Sequence, residues 1–356
     1  MSLFDGSPEL FEQHADPPVL SERTPAAPET PGREQPAPNP SRRSATGGAM
    51  GAGGQDKLKP LSRVKQRLMR AAVEIEADDP RSILFQHTVF CQIALPYRDP
   101  GPGLRDWERQ QGRASCLVEA GRARDPRTRQ WIPLGLPFGP KPRLILAHLN
   151  AEALRTGTAE IEVETSLTAF VHRIGLCRDG RSIRLVKDQL ARLSAAQIRL
   201  SVAYGETQAR QVNTHVVGGF DLWFPKDEHQ RVLWPRSVRL SLDYFASLQG
   251  HAVPLDERAI AALSHGAMAL DVYAWLAQRL HRIDPHRPQR ISWVALQNQF
   301  GGHYGRMDNF RRVFRQTLAT VLSQYRAARL TVDGRGMTLR HSPPPVQGRL
   351  DILSRP

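Results

Sequence analysis

The sequence predicts an α+β protein in which two similar units, each a helix-turn-helix followed by a β-hairpin, stand in tandem. A duplication is the first observation, because three pairs of landmarks are separated by nearly constant distances: Leu144 and Met268 by 124 residues, Ile161 and Ile291 by 130, Arg184 and Arg311 by 127. Such a near-constant offset is typical of a repeated unit. The other two observations are a basic amphipathic helix at matching places in both copies and an excess of positive charge.

Each copy contains the same predicted elements in the same order. In the first copy we expect a helix at 142–156, a strand at 160–164, a second helix at 166–175, a basic helix at 181–193 and a hairpin at 198–214. In the second copy the corresponding segments are 268–282, 290–292, 293–300, 307–326 and 330–340. A helix, a turn and a basic helix form a DNA-reading arrangement, so two in tandem suggest one chain that holds two successive grooves.

The domain organisation follows from changes in composition. Residues 1–56, rich in proline and glycine, predict a disordered tail, and 57–136 predict a basic helix at 57–77 plus a small β-rich extension with strands within 83–95, 105–111, 114–119 and 130–132. The first helix-turn-helix domain is predicted at 137–245, the second at 246–345, and a short C-terminal tail at 346–356.

The charge of the chain is unevenly distributed. The net charge is +14, but residues 1–56 hold four Lys/Arg and eight Asp/Glu, a balance of −4, which leaves +18 for the remaining 300 residues. An acidic partner such as DNA is the simplest reason to tolerate so basic a body. The alternative is a proteome that is simply rich in arginine.

The second basic helix, 307–326, separates two faces when about 100° is advanced per residue. Phe310, Phe314, Leu318 and Val321 fall on one apolar face. The opposite face carries the predicted base-reading residues Asn309, Arg311, Arg312, Arg315 and Gln316. Arg can pair bidentately with guanine, and Asn or Gln with adenine, in the major groove. Arg335 and Arg340, on the predicted hairpin around Asp333-Gly334, are expected to reach phosphates or a minor groove.

The first basic helix, 181–193, shows a narrower separation of the same kind. Its predicted DNA-binding residues are Arg181, Arg184, Lys187 and Arg192. Its apolar face is predicted to comprise Ile183, Val186, Leu190 and Leu193. With fewer amide side chains, this helix is expected to hold phosphates more than to read bases. For either helix alone, an ordinary solvated surface helix is the alternative interpretation.

Several classes of function are disfavoured by missing motifs. The three cysteines, Cys91, Cys116 and Cys177, have neither zinc-ligand spacing nor the pattern of a disulfide framework, so we expect free thiols. No apolar run reaches the ~18–20 residues of a membrane span. There is no Walker motif, no His-x-His metal pair and no Asp-x-Asp cluster. The sequence therefore predicts a cytoplasmic, non-enzymatic protein without a cofactor or metal.

Seven short segments in order resemble the RepA group of plasmid replication initiators, over about residues 85–345. They are 137–144 (PFGPKPRL), 165–170 (TSLTAF), 220–223 (FDLW), 254–256 (PLD), 269–276 (ALDVYAWL), 291–293 (ISW) and 299–301 (QFG). One departure is the segment 177–180 (CRDG), where the family has a more glycine-rich turn before the first basic helix.

The resemblance implies tandem winged-helix domains that bind repeated double-stranded sites (iterons) at a bacterial plasmid origin. It also implies local strand opening, recruitment of the host initiator and replicative helicase, and repression of the protein's own promoter as a homodimer. Two alternatives remain open at this stage. The first is a winged-helix transcriptional repressor that acts only at a promoter, and the second is a DNA-nicking or priming enzyme.

Overall fold

A computed structural model describes residues 62–112, 114–125, 128–163, 169, 171–172, 180–203, 209–212, 216–223 and 234–346. The predicted N-terminal tail, nearly all of the predicted C-terminal tail and most of the predicted helix at 166–175 lie outside these residues. The described residues combine helices with several small sheets, as the α+β prediction requires. Within them, no helix is both long and apolar enough to cross a membrane.

The N-terminal part begins with a helix and continues into short strands. Its elements are α1 (Arg63–Ala77), β1 (Ile83–His87), α2 (Thr88–Gln92), β2 (Asp106–Gln111), β3 (Ala114–Glu119), β4 (Arg122–Arg124) and β5 (Trp131–Pro133). Helix α1 confirms the predicted basic helix from Arg63 onward, with Ser62 as its N-cap. Strands β2, β3 and β5 lie within a residue or so of their predicted positions.

The prediction of β structure throughout 83–95 is wrong in its second half, where the chain forms α2. The apolar run hides a helix start at His87, whose Nδ1 accepts a hydrogen bond from the Val89 backbone N at 3.3 Å. Burial lowers the pKa of His87 to about 3, so the ring is neutral and Nε2 is left to donate to Ser247 Oγ at 2.9 Å. A buried, hydrogen-bonded cap thus overrides the β propensity of the local sequence.

The first unit begins with a long helix that has proline in its first turn. Its elements are α3 (Pro140–Thr156), β6 (Glu160–Glu162), α4 (Gly180–Ala195), β7 (Gln197–Ala203), β8 (Ala209–Val212), β9 (Val217–Trp223) and β10 (Trp234–Leu240). Helix α3 has proline in its first turn and ends at Gly157, whose φ of 69° is the left-handed conformation that glycine favours at a helix end.

The second unit is preceded by a linking segment that the sequence reasoning did not foresee. The elements from there onward are α5 (Leu242–His251), β11 (Ala252–Asp256), α6 (Glu257–Leu263), α7 (Ala267–Arg279), a 3₁₀ turn (Leu280–Arg282), β12 (Gln289–Ser292), α8 (Trp293–Phe300), α9 (Met307–Leu322), β13 (Leu330–Val332) and β14 (Gly336–Leu339). Helix α8 has its predicted bounds, whereas α9 ends four residues earlier than predicted. The predicted domain boundary after residue 245 falls within α5.

The two copies share one sheet topology. The first has the strand order β6-β10-β9 and the second β12-β14-β13, so in each copy the strand that follows the long helix lies beside the last strand of a hairpin. The registers correspond too, with Ile161 opposite Val238 and Ile291 opposite Met337. The predicted duplication is therefore visible in the strand pairing.

This topology corrects one sequence assignment. The hairpin predicted at 198–214 does form, as β7 and β8, but it is not the equivalent of β13–β14. It joins β2 and β3 in a four-stranded sheet of order β2-β3-β7-β8. The equivalent hairpin is β9–β10, which was missed because the intervening hairpin occupies the place in the sequence where the second copy has its own.

The repeat also extends upstream of each long helix. Strands β1 and β11 pair antiparallel with Phe85 opposite Pro254, and both show the same alternation of half-buried and buried residues. Each strand leads directly into a short helix, α2 or α6, before the long helix of its unit. The paired strands thus bring the starts of the two copies together.

A buried ion pair connects the long helices of the two copies. Arg143 on α3 donates from Nε to Asp271 Oδ1 at 2.6 Å and from Nη2 to Asp271 Oδ2 at 2.8 Å. Arg143 also donates to the backbone oxygens of Leu95 and Gly139, at 2.7 and 2.6 Å. Apolar side chains from both copies belong to the same hydrophobic cluster, including Leu144, Leu149, Val272 and Leu276.

Candidate nucleic-acid interface

The second helix-turn-helix is held by aromatic packing beneath α9. The buried side of α9 consists of Phe310, Phe314, Leu318 and Val321, as the helical periodicity predicts. The Trp293 ring meets Phe310 and Phe314 edge to face, with centroids 6.4 and 6.0 Å apart. This packing fixes the rotation of α9 about its axis and therefore determines which side chains point outward.

The outward face of α9 carries the predicted polar residues. Asn309, Arg312, Arg315 and Gln316 are exposed, and Arg311 is half-buried. Arg312 Nη2 donates to Asn309 Oδ1 at 2.9 Å, so these two side chains lie together on the helix. Within the described part of the chain, no carboxylate forms a salt bridge with Arg311, Arg312 or Arg315. The ion pair of Arg306 with Asp308 lies at the N-terminal end of the helix, away from these three arginines in the sequence.

Two of the arginines are braced by a buried tryptophan, Trp293. Trp293 is only 1% exposed. The guanidinium carbons of Arg311 and Arg315 lie 5.5 and 5.2 Å from the centroid of its ring, within cation–π range. Arg315 Nη2 and Trp293 Nε1 both donate to the Asp333 backbone oxygen, at 3.2 and 3.1 Å. We call Trp293, Arg311, Arg315 and Asp333 the Trp293 cluster.

Asp333 ties the turn of the β13–β14 hairpin to its surroundings. Its Oδ1 accepts hydrogen bonds from the backbone N of Arg335 and of Gly336, at 2.7 and 2.9 Å. Its Oδ2 accepts from Arg290 Nη2 at 2.8 Å. The backbone donors, together with the nearby Arg290 charge, lower the pKa of Asp333, so the carboxylate stays ionised. The turn is therefore held beside α9.

Arg335 and Arg340 are both exposed on this hairpin, Arg335 at the turn and Arg340 just after β14. Their predicted contact with DNA stays a prediction, but neither side chain is buried in a way that would prevent it.

The end of α8 and the turn that follows it contact the N-terminal part of the chain. Gln299 Nε2 donates to the Gln92 backbone oxygen at 3.1 Å, and the rings of His303 and Tyr97 meet edge to face at 5.3 Å. Arg109 on β2 lies so close to Gly302 that a Cβ there would be 2.2 Å from its Nη2. The β-rich extension thus helps to set the angle at which α9 begins.

In the first unit, the basic helix is confirmed as α4, but its side chains divide differently. Arg181 and Arg184 are exposed and Lys187 is half-buried. Val186, Leu190 and Leu193 are buried as predicted, whereas the prediction that Ile183 belongs to the buried stripe is wrong, because Ile183 is 40% exposed. Ile183 lies in the first turn of the helix, beyond the core that covers its C-terminal half.

Arg192 packs against the protein, which its prediction as a DNA ligand did not foresee. Its side chain is only 19% exposed, and Nε lies 3.0 Å from Asp188 Oδ2. Its guanidinium covers the Phe138 ring at 5.1 Å, and Nη1 donates to the Leu136 backbone oxygen at 3.4 Å. These contacts favour a role in positioning α4 over direct contact with a phosphate.

A family model matches the central part of the chain. Residues 136–295 match the family model described as "Plasmid encoded RepA protein". This segment, 160 of the 356 residues, is similar to the RepA family. The match confirms the resemblance seen in the sequence motifs. The RepA segment starts just before α3 and ends within α8, so α9, the β13–β14 hairpin and the β-rich extension lie outside it.

Solved structures add two similarities to the RepA match. One is the crystal structure of RctB domains 2–3, with a TM-score of 0.45, 9% identity, 70% of this chain covered and 94% of that chain. The other is a crystal structure of selenomethionine derivatives of domains 2 and 3 of RctB, with a TM-score of 0.43, 10% identity and coverages of 65% and 83%. No curated protein matches the sequence significantly.

Sequence reasoning missed the residues that hold the exposed helix α9 in place. Arg290, Trp293 and Asp333 act through contacts between residues about 40 positions apart, which periodicity does not reveal. The Asp333-Gly334 turn signal did locate the hairpin, but not its tie to α9. Among the described residues there is no group of three or more His, Cys, Asp or Glu side chains that could hold a metal ion.

Proposed function

We propose that this protein is a sequence-specific double-stranded DNA-binding initiator of plasmid replication, acting by binding rather than by catalysis. The observation that carries the proposal is the outward face of α9. Asn309, Arg312 and Gln316 are spaced one helical turn apart and exposed, and Arg311 and Arg315 are braced on Trp293. Such a row of Arg, Asn and Gln side chains matches the donor and acceptor groups of base edges in the major groove.

The order of elements supports a winged-helix assignment for both units. In the second unit, α7, β12, α8 and α9 are followed by the β13–β14 hairpin, which serves as the wing. In the first unit, α3, β6 and α4 are followed, after the additional β7–β8 hairpin, by the β9–β10 wing. Helix α9 enters a major groove, and the wing arginines Arg335 and Arg340 hold the adjacent backbone.

The first unit supplies the second hold on the duplex. Arg181 and Arg184 are exposed at the N-terminal end of α4, where they and Lys187 neutralise phosphates. With few amide side chains on this helix, it contributes affinity more than discrimination between bases. Binding of two successive DNA grooves by one chain explains why the unit is duplicated.

Initiation follows from several copies bound side by side. Each copy that binds a repeated site (iteron) bends or unwinds the DNA at a cost of a few kcal/mol by elastic estimates, so several copies together concentrate the strain needed to open adjacent A·T-rich DNA. The family resemblance supports recruitment of the host initiator and replicative helicase at the opened strand. It also supports autorepression by a homodimer at the protein's own promoter.

Footprinting the full chain on the DNA upstream of its own gene tests the proposal. Protection of an array of direct repeats beside an A·T-rich tract is expected. One protected inverted repeat over the promoter would instead identify a repressor. Relaxation of supercoiled origin DNA in magnesium by the purified protein would identify a nicking enzyme and contradict the proposal.

Salt dependence provides a second test of the same interface. The logarithm of the affinity should fall with the logarithm of salt concentration by about 0.9 for each phosphate neutralised. A nearly flat dependence would mean that the basic surface does not bind DNA.

A further inference from the structure

A small two-stranded hairpin, β4–β5, precedes both duplicated units in the sequence and lies outside the matched segment 136–295. We call it the ribbon. Its register places Arg122 opposite Pro133, Ala123 opposite Ile132 and Arg124 opposite Trp131. Because side chains alternate between the two faces of a strand pair, Arg122, Arg124 and Trp131 share one face, and Ala123 shares the other with Ile132. Ala123 is buried and Ile132 is 38% exposed, whereas Trp131 is 61% exposed, so the Arg–Trp face is the more exposed one and we call it the outer face.

Packing does not explain the composition of the outer face. Trp131 is 61% exposed, and Arg122 and Arg124 beside it are exposed as well. A hairpin of three residues a strand is at best marginally stable without further support, and a solvent-exposed tryptophan contributes little to it. A large aromatic ring held in water between cations is typical of a binding surface.

The base of the ribbon is firmly attached to the body. Arg105 Nη1 donates to the Leu134 backbone oxygen at 2.7 Å, and its Nη2 donates to the backbone oxygens of Ala120 and Gly121. The backbone at Gly121 lies against the end of α4, where a Cβ would be only 1.8 Å from the Ala195 oxygen. A surface held this way loses little conformational entropy on binding.

The turn of the ribbon adds a further positive charge. Arg129 is exposed and adopts a φ of 57°, and its backbone N donates to the Asp125 oxygen at 2.8 Å. Asp125 is the acidic residue nearest this turn, and its Oδ1 accepts from the Thr128 backbone N at 3.3 Å. Across the described ranges, no salt bridge involves Arg122, Arg124 or Arg129.

We propose that the outer face of the ribbon binds single-stranded DNA, with Trp131 stacked on an unpaired base and Arg122 and Arg124 on the flanking phosphates. The positive charges of Arg122, Arg124 and Arg129 favour a polyanion as the ligand. Trp131 favours a polyanion whose bases are accessible for stacking. In a duplex the faces of the bases are covered by their neighbours, so stacking an indole there first costs a few kcal/mol of unstacking, whereas a single strand offers its bases at once. This site is separate from the duplex-reading face of α9.

Binding of a labelled oligothymidylate of about 16 nucleotides to the full chain tests the site. Trp131→Ala should weaken binding about fivefold or more, whereas Trp131→Phe should retain most of it, because a stacked base contributes the equivalent of at least about fivefold in affinity. Arg122→Ala combined with Arg124→Ala should weaken binding and reduce its salt dependence. Matched controls are Leu242→Ala, which removes another exposed apolar side chain, and Arg81→Ala, another exposed arginine.

A duplex containing the protein's own binding site serves as the second probe. Its affinity should be unchanged in the ribbon variants, and their far-UV circular dichroism and melting temperature should match the wild type. Crosslinking of a bromodeoxyuridine oligonucleotide, followed by mass spectrometry, should label the peptide that contains Trp131.

Three outcomes would overturn the proposal. The ribbon variants could bind the oligonucleotide as well as the controls do, the wild type could fail to bind it, or the variants could lose duplex binding to the same extent. If the wild type bound the oligonucleotide through Trp131 but not the duplex, the ribbon site would stand and the proposed duplex-reading function would fail.

Discussion

At the scale of single residues, Trp293 divides the arginines of α9 into two groups. Arg311 and Arg315 lie over its ring, and Arg315 also donates to the Asp333 oxygen. Arg312 has only Asn309 as a hydrogen-bond partner among the described residues. Under the proposed function, Arg312 is therefore the side chain best placed to read a base, whereas Arg315 joins the helix to the β13–β14 hairpin.

Replacing Arg312 by Ala is expected to weaken binding to the cognate site by about 1–3 kcal/mol and to relax the preference at one base pair. The measurement is an affinity titration against the cognate duplex and against a set of single-base variants. Arg81→Ala, which removes an equal charge elsewhere on the surface, is the control. Equal losses for the two variants, with sequence preference intact, would show that Arg312 contributes only charge.

The sequence predicted the exposed stripe of this site but not its support. Asn309, Arg312 and Gln316 follow from helical periodicity alone, because their exposure depends on residues within the same helix. The bracing by Trp293 and the tie to Asp333 depend on how three elements meet in space. Arg192 is a second example of a residue that periodicity alone does not describe. Its charge and position suggested that it binds DNA, whereas its contacts with Phe138 and Leu136 depend on the tertiary structure.

At the scale of elements, the turn before α9 depends on a glycine that is needed for space. A Cβ on Gly301 would lie 2.6 and 2.8 Å from two ring carbons of Phe310. Phe310 is fully buried and is the first apolar anchor of α9. The close approach of the turn to this ring therefore sets where the exposed helix begins.

Gly301→Ala should lower the free energy of unfolding by about 1–3 kcal/mol, because the buried ring must shift to accommodate the methyl group. Cognate DNA affinity should fall as well, as α9 is displaced. Gly305→Ala is a matched control in the same turn, since a Cβ there would meet nothing within 4 Å. Urea titration and duplex binding of both variants give the measurement. Similar stabilities for the two variants would contradict this account.

Elements that depend on signals in the local sequence were predicted well. Elements that depend on contacts with residues distant in the sequence were not. Ser292 caps α8 at its predicted start, and the bounds of that helix were right. Helix α2 was taken for a strand because its residues are β-branched and aromatic, and only the buried His87 cap makes them helical. The β9–β10 hairpin was missed because hairpin sequences alone do not say which strand they will join.

At the scale of the whole molecule, the Arg143–Asp271 pair connects the long helices of the two copies. Both side chains are buried, and the pair lies among apolar residues from the two units. Burial raises the pKa of Asp271 while the neighbouring Arg143 opposes the rise, so the carboxylate depends on its partner. Loss of either member leaves the other without compensation.

Asp271→Asn is expected to lower the free energy of unfolding by about 3–5 kcal/mol, since an uncompensated guanidinium remains buried. Asp79→Asn, which removes an exposed carboxylate, is the control. Differential scanning calorimetry should show one transition for the wild type, because the two copies share a core. Two well-separated transitions in the wild type would mean that the copies unfold independently and that the pair contributes little between them.

The pairing of β1 with β11 also has a consequence for biosynthesis. The ribosome synthesises Leu84 about 170 residues before its strand partner Leu255. At about 5–20 residues per second, the edge of β1 waits roughly 10 to 30 seconds for the strand that covers it. Throughout that interval the nascent polypeptide exposes an unpaired, partly apolar strand that other chains can capture, so its yield should depend on translation speed and on chaperones at the exit tunnel.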